Sequence, residues 1–144
     1  MNALFLYRDD GPLARLAIRR LASPEPGPYA WLFPPLVRST EHGLVIALTA
    51  LMNADALPAA FAYLGVLAFH HYDIAYRLRD RGEPPPAWVG AVGGGWEGRS
   101  LVIALLAAVG ALGLGLVVLA ALLGTVWIAE SAAGWIRWIR RSSR

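Results

Sequence analysis

The sequence contains no cysteine and no lysine, and charged residues make up only 16% of its 144 positions. Without cysteine, a disulfide-stapled secreted scaffold and a thiolate metal site are both excluded. A soluble domain is nearer ~25% charged, and 57% of this chain is apolar, so an ordinary water-soluble enzyme is not expected. The high apolar content also excludes a disordered chain.

All 13 basic residues are arginine, and the formal net charge is only +3. Most of these arginines flank apolar runs, which is typical of membrane proteins. The placement does not favour nucleic acid as a partner, since that requires a clustered basic surface. Arginine-only usage together with abundant Ala, Leu, Gly and Pro is typical of a GC-rich bacterial genome.

A basic amphipathic segment precedes the long apolar runs. Within residues 12–22, apolar side chains recur at helical spacing, with Arg15, Arg19 and Arg20 largely between them. This pattern predicts a helix that lies on the membrane surface, ended by Pro24. The alternative is a short helix packed on a soluble domain.

Two apolar runs have about the ~20 residues needed to cross a hydrocarbon core, and they predict transmembrane helices at 31–52 and 57–76. The last apolar run, 101–129, has two interpretations. A turn at its central glycines gives a hairpin with helices at 96–112 and 114–136, whereas a single long helix gives a chain with three spans.

We favour the hairpin because the C-terminal tail is basic and rich in tryptophan, as expected at a cytoplasmic interface. The connection at 53–56 contains no arginine, whereas the segment 77–99 contains four. The positive-inside rule therefore places this segment and both termini on the cytoplasmic side of a bacterial plasma membrane. The predicted fold is an all-α, polytopic helical membrane bundle forming one domain (1–144). It has four transmembrane helices, with three as the alternative, preceded by the interfacial helix.

Ionisable residues inside predicted spans are candidates for function, and here they converge at the cytoplasmic side. They are Arg38, Glu41, His42, His70, His71, Asp73, Arg77, Glu97, Arg99 and Glu130.

This polar set has two interpretations. It is either a network of salt bridges that joins the helices, or a polar pocket open to the cytoplasm. In a pocket, the arginines would hold phosphate, and a divalent cation would find ligands in Glu41, His70 and Asp73.

A glycine-rich turn leads into the third predicted span. It contains G-x-G-x-x-G at 93–98, but no strand precedes it, so a dinucleotide site is not predicted. Backbone N–H groups at Gly94 and Gly95, together with Arg99, form a candidate phosphate-binding turn. The alternative is a turn that only delivers the chain into the helix.

Residues 10–15 (DGPLAR) resemble the first half of the CDP-alcohol phosphotransferase motif, D-x-x-D-G-x-x-A-R followed by G-x-x-x-D-x-x-x-D. In that family the aspartates hold divalent metal and a CDP-alcohol while a phosphoalcohol moves to a lipid or polyol phosphate. Here Tyr7 replaces the first aspartate, and the second half of the motif does not follow Arg15. The metal ligands are therefore not carried over.

Three stretches resemble an uncharacterised actinobacterial family of integral membrane domains: 7–11 (YRDDG), 68–79 (AFHHYDIAYRLR) and 94–99 (GGWEGR). Members of that family occur fused to, or beside, CDP-alcohol phosphotransferase and nucleotidyltransferase domains. The resemblance implies an inner-membrane domain that works near phospholipid or phosphopolyol synthesis. It assigns no catalytic residue.

The sequence thus leads to two hypotheses. In the first, a membrane domain in contact with lipids assists the synthesis or handling of a phosphorylated lipid or polyol at the cytoplasmic leaflet. In the second, a non-catalytic scaffold dimerises or docks onto a membrane enzyme through Gly110, Gly113 and Gly115. Ion passage is disfavoured because the outer half of the bundle has almost no charge.

Overall fold

The computed structural model describes residues 9–11, 16 and 28–143. In this part of the chain every regular element is helical and there is no strand, which confirms the all-α prediction. The predicted interfacial helix at 12–22 lies outside the described residues except for Leu16. The elements are a 3₁₀ turn Ala30–Leu32, α1 Phe33–Met52, a 3₁₀ turn Ala54–Ala56, α2 Leu57–Arg81, α3 Ala87–Gly93, α4 Gly95–Ala108 and α5 Leu112–Ser142.

The helix boundaries follow from proline and glycine. α1 and α2 each have proline in the first turn, where the missing N–H costs nothing and the fixed φ suits the helix. α2 ends at Gly82, whose φ of 67° is left-handed, a conformation that glycine adopts without steric cost.

The last apolar run is divided between α4 and α5 by a turn at Gly110, whose φ is 72°. The Ala111 N–H donates to the Leu106 carbonyl at 2.8 Å, and the Gly110 N–H donates to the Ala107 carbonyl at 3.1 Å. These bonds satisfy the last carbonyls of α4. On the far side of the turn, Gly115 packs against the Leu106 side chain, so the two helices form a close hairpin.

The four long helices pack in a ring, with α1 beside α2, α2 beside α5, α5 beside α4 and α4 beside α1. α1 and α4 run in one direction, and α2 and α5 run in the other. The ring encloses a core whose largest fully buried apolar side chains are Trp127, Tyr63, Leu67, Ile103, Leu112, Leu116, Val45 and Val89.

This arrangement collects the polar residues at one end of the bundle. They occupy the N-terminal halves of α1 and α4 and the C-terminal halves of α2 and α5. Across residues 43–69 and 100–129, which form the opposite half, the one charged side chain is Asp55 in the turn between α1 and α2. The bundle therefore has an apolar half and a polar half.

Among the described helices, Leu112–Ser142 alone is both long and apolar enough to cross a membrane. Only 33% of its most apolar 18-residue window is buried within the molecule. α1 and α2 carry polar residues through one half of their length, and α4 has 14 residues. The four main helices agree in number with the prediction. The one helix that could cross a membrane is consistent with membrane association.

Candidate functional site

Most of the predicted polar residues belong to two clusters in the structure, each completed by a residue that was not predicted. We call the first the Arg99 cluster; it comprises Asp9, Glu41, His70, His71 and Arg99. We call the second the Arg77 cluster; it comprises Asp73, Arg77, Glu130 and Ser131.

Arg99 is the centre of the first cluster, and its side chain is 3% exposed. Its Nε and Nη2 donate to the two carboxylate oxygens of Glu41 at 2.6 and 3.1 Å. Its Nη1 donates to Oδ2 of Asp9 at 2.8 Å. One buried guanidinium therefore joins α1, α4 and the segment before α1 through charge-assisted hydrogen bonds.

Two imidazoles from α2 approach the same oxygen of the Asp9 carboxylate as Arg99 does. Nε2 of His70 is 3.6 Å and Nε2 of His71 is 3.8 Å from Oδ2 of Asp9, slightly beyond hydrogen-bond distance. The His70 ring stacks on Trp127, with centroids 3.9 Å apart and planes 11° from parallel. Trp127 donates to the Val89 carbonyl at 3.4 Å, so α3 and α5 hold the ring that positions His70.

Three other predicted residues lie around this cluster. Nδ1 of His42 is 2.7 Å from the Arg38 carbonyl, and the His42 ring is 6.2 Å from that of His71. The Arg38 guanidinium interacts electrostatically with the two carboxylates of the Arg99 cluster. Glu97 accepts a hydrogen bond from the Gly11 N–H at 3.0 Å.

The segment 9–11 packs against the start of α4 and is held there by hydrogen bonds. The Trp96 backbone N–H donates to the Asp9 carbonyl at 3.1 Å, and the Trp96 indole donates to Asp10 at 3.2 Å. Gly11 and Gly95 meet backbone to backbone, with no room for a side chain on either. Asp9 itself adopts a φ of 54°, which is uncommon outside glycine and least unfavourable for Asp and Asn.

These contacts bear on the predicted phosphate turn. Gly95 is covered by the segment 9–11, the Gly94 N–H already donates to the Ala91 carbonyl at 3.1 Å, and Arg99 is neutralised by two carboxylates. The glycines thus serve the close approach of two backbone segments, and the geometry does not favour a phosphate at this turn.

The three predicted cation ligands, Glu41, His70 and Asp73, lie in different clusters. Glu41 and His70 belong to the Arg99 cluster, whereas Asp73 accepts from Ser131 at 2.6 Å and pairs with Arg77. Among the described residues, no group of three or more histidine or carboxylate side chains is arranged to hold a metal ion.

Arg77 joins α2 to α5 in the second cluster. Its Nε lies 2.8 Å from Asp73, and its Nη2 and Nη1 donate to the two oxygens of Glu130 at 2.8 and 3.3 Å. Gly134 on α5 leaves just enough space for this guanidinium. The Arg77 cluster therefore resembles the Arg99 cluster: in each, one buried arginine forms ion pairs with two carboxylates.

A groove opens beside the Arg77 cluster, between the C-terminal parts of α2 and α5 and the segment 83–86. Its volume is ≈160 Å³. We call it the arginine groove; its lining includes Arg77, Arg81, Glu83, Glu130, Arg137, Trp138 and Arg141.

Sequence reasoning missed Arg81, Arg137 and Arg141 as site residues, because it treated them as orientation signals. Their spacing does carry a hint, since Arg77 and Arg81 are four residues apart and Arg137 and Arg141 repeat that interval on one face of a helix. Asp9 was also missed, and no periodic pattern links it to Arg99, 90 residues away.

The Asp9 carboxylate has a pKa well below its ordinary value. Burial alone would raise the pKa, but the neighbouring imidazoles of His70 and His71 and the Arg99 guanidinium favour the charged form and more than offset burial. A carboxylate whose pKa is lower in the folded chain stabilises the fold above its unfolded pKa of about 4. That contribution is lost as the pH falls below this value.

We therefore expect the free energy of unfolding to fall more steeply in the wild type than in Asp9→Asn as the pH is lowered below about 4. Asparagine tolerates the left-handed backbone at this position, so the variant removes the titrating group and keeps the local conformation. Denaturant titrations at a series of pH values measure both slopes, and equal slopes would contradict the prediction.

A comparison with curated proteins and one with solved structures gave no match. The pattern of one protein family, described as a family of unknown function, matches residues 8–142 and so includes both clusters and the groove. The chain therefore belongs to this family of unknown function (DUF5941).

Proposed function

We propose that the protein is a four-span membrane domain that binds a phosphorylated lipid or polyol at the cytoplasmic leaflet and so assists its synthesis or handling. The observation that carries this proposal is the division of the bundle into an apolar half and a polar half. Such a bundle fits a membrane with its polar half near the headgroups of one leaflet and its apolar half in the hydrocarbon, because charged groups are stable near the headgroups and costly in the hydrocarbon.

The outer surface of the apolar half supports membrane insertion. Large apolar side chains are exposed along all four long helices, including Leu51 at 84%, Phe61 at 64%, Leu105 at 56% and Leu114 at 72%. Large exposed apolar areas are uncommon on a soluble monomer. Lipid is the environment in which such side chains are stable.

The excess of arginine at the polar end supports an anionic ligand and a cytoplasmic orientation. Arg79, Arg137, Arg140 and Arg141 are exposed there, where the positive-inside rule expects them. The resemblance to membrane domains found beside CDP-alcohol phosphotransferases supports phospholipid or phosphopolyol chemistry as the setting.

The scaffold hypothesis has less support from the described contacts. Gly113 packs against Asn53 and Ala56, and Gly115 packs against Leu106. Gly113 and Gly115 thus serve packing within the chain, whereas the space beside Gly110 is open, so the three glycines do not form one outward face for a partner.

The proposal is tested with the full chain expressed in bacteria and then purified in detergent. We expect it in the carbonate-resistant membrane fraction, with a reporter at residue 144 on the cytoplasmic side. Phosphatidylglycerol at ~100 times its dissociation constant should stabilise the fold by about 2.7 kcal/mol. That would raise the melting temperature by about 5–10 °C, whereas phosphatidylcholine should not. Recovery in the soluble fraction, or equal effects of the two lipids, would contradict the proposal.

A further inference from the structure

We propose that the arginine groove binds a phosphate group through the Nε and Nη2 atoms of Arg81, with Arg137 and Arg141 supplying further positive charge. The inference rests on the proposed function and adds to it a binding site and a ligand class.

The Arg81 guanidinium is held in one orientation by α5. Its central carbon lies 3.6 Å from the centroid of the Trp135 ring, and its Nη1 donates to the Gly134 carbonyl at 3.2 Å. Stacking on the indole and this hydrogen bond fix the plane of the guanidinium.

The remaining edge of Arg81 has no hydrogen-bond partner in the part of the chain that the structure describes. Nε and Nη2 are both buried, and no acceptor among the described residues bonds either atom. Buried donors of this kind are rare, because an unsatisfied donor costs free energy. Each such group calls for a specific explanation.

Arg99 in the same chain indicates what this edge recognises. Its Nε and Nη2 hold the two oxygens of the Glu41 carboxylate side by side. Arg81 lines the groove, and an edge of this kind, with no hydrogen-bond partner among the described residues, is suited to two oxygens of an oxyanion supplied from outside the chain.

The charge and size of the groove favour phosphate. Arg77, Arg81, Arg137 and Arg141 line the groove with Glu83 and Glu130, and Asp73 lies behind Arg77. Four positive and three negative charges leave a formal excess of +1, which an anion would neutralise. The volume of ≈160 Å³ exceeds the space that a phosphate group of five heavy atoms requires.

The position of the groove is compatible with a phosphate carried by a lipid. Trp138 lines it, and tryptophan is enriched at membrane interfaces. A free phosphate ion would use the same chemistry, so the experiment includes both sources.

The test uses the full chain in detergent and follows lipid binding by the shift in melting temperature as phosphatidylglycerol is titrated. We expect Arg81→Gln to weaken binding about tenfold or more, as two charge-assisted hydrogen bonds are lost. Arg81→Lys keeps the charge but lacks the two-donor edge and should also weaken binding. The matched control is Arg79→Gln, two residues earlier on α2, whose side chain is 77% exposed and which should bind like the wild type.

A second pair of variants covers the case in which Arg81→Gln fails to fold. Arg141 is exposed on α5 and lines the groove, so Arg141→Gln should fold normally and bind less tightly than Arg140→Gln. Inorganic phosphate at millimolar concentration is added in competition. Displacement of the lipid would assign the site to phosphate in general, and failure to displace it would assign the site to the lipid-borne group.

Two kinds of failure are distinguishable. If the wild type prefers phosphatidylglycerol and both groove variants bind like their controls, the groove assignment is wrong and the proposed function stands. If the wild type shows no preference for phosphatidylglycerol over phosphatidylcholine and does not bind inorganic phosphate, both proposals are wrong.

Discussion

Arg99→Ala should lower the free energy of unfolding by about 3–5 kcal/mol, because it leaves two buried carboxylates without their cation. Asp9 and Glu41 are 6% and 1% exposed at their side chains, so water cannot replace the lost guanidinium. The loss is measured by denaturant titration in detergent, followed by far-ultraviolet circular dichroism.

The matched control is Arg79→Ala. Arg79 also has a carboxylate partner, Asp80 at 3.8 Å, but its side chain is 77% exposed. An exposed pair of this kind contributes about 0–1 kcal/mol. If Arg99→Ala costs no more than Arg79→Ala, the Arg99 cluster is not buried in the folded protein.

A double variant measures how much the Glu41–Arg99 ion pair itself contributes to the free energy of unfolding. Glu41→Gln alone leaves Arg99 with one carboxylate, and Arg99→Gln alone leaves two carboxylates without the guanidinium that donates hydrogen bonds to them. Because contacting residues couple, the double variant should cost less than the sum of the two single variants. A coupling energy of about 1–3 kcal/mol is expected.

The order of the main helices could be predicted from the sequence, because a helix is indicated by the residues within it and at its ends. The predicted spans 31–52 and 57–76 correspond to α1 and to most of α2, and the glycines near residue 110 mark the turn between α4 and α5. α2 and α5 extend beyond the predicted ends to Arg81 and Ser142. The prediction followed the apolar runs, whereas helical hydrogen bonding continues through the charged turns that follow them.

The division of the polar residues could not be predicted in the same way. His70 and Arg77 share one face of α2, but seven residues separate them by about 10 Å along the axis. They therefore meet different partners, Trp127 in one case and Glu130 in the other. Helical periodicity gives the face of a residue, and only packing decides which neighbour it meets.

The segment 9–11 shows where sequence patterns give no guidance. Its contacts with Trp96, Glu97 and Arg99 span 86–90 residues of chain. The sequence allows two interpretations of Gly94 and Gly95, a phosphate-binding turn or a turn that only delivers the chain into the helix, and it does not indicate the close approach to Gly11 that the structure has there. A glycine pair indicates only that a backbone comes near, without identifying what approaches it.

Trp127→Ala should lower the free energy of unfolding by about 3–5 kcal/mol, because it removes a large side chain from the centre of the core. Trp127 is 2% exposed. The control is Trp31→Ala, whose side chain lies on the surface at 64% exposure and should change stability by no more than about 0.5 kcal/mol. Equal effects of the two variants would contradict the packing of α5 described above.

Trp127→Phe distinguishes stacking from hydrogen bonding at the same position. Phenylalanine keeps an aromatic ring against His70 but cannot donate to the Val89 carbonyl. We expect it to cost about 1–2 kcal/mol, mostly from the lost hydrogen bond and the smaller ring.

Trp127→Ala also tests whether Trp127 positions the Arg99 cluster. The indole holds the His70 imidazole at 3.9 Å, and that imidazole in turn faces Asp9. If the stacking orients His70, then Trp127→Ala should reduce the effect of Asp9→Asn, and the double variant should deviate from additivity by at least about 0.5 kcal/mol. Strict additivity would mean that Trp127 stabilises the core without acting on the buried carboxylate.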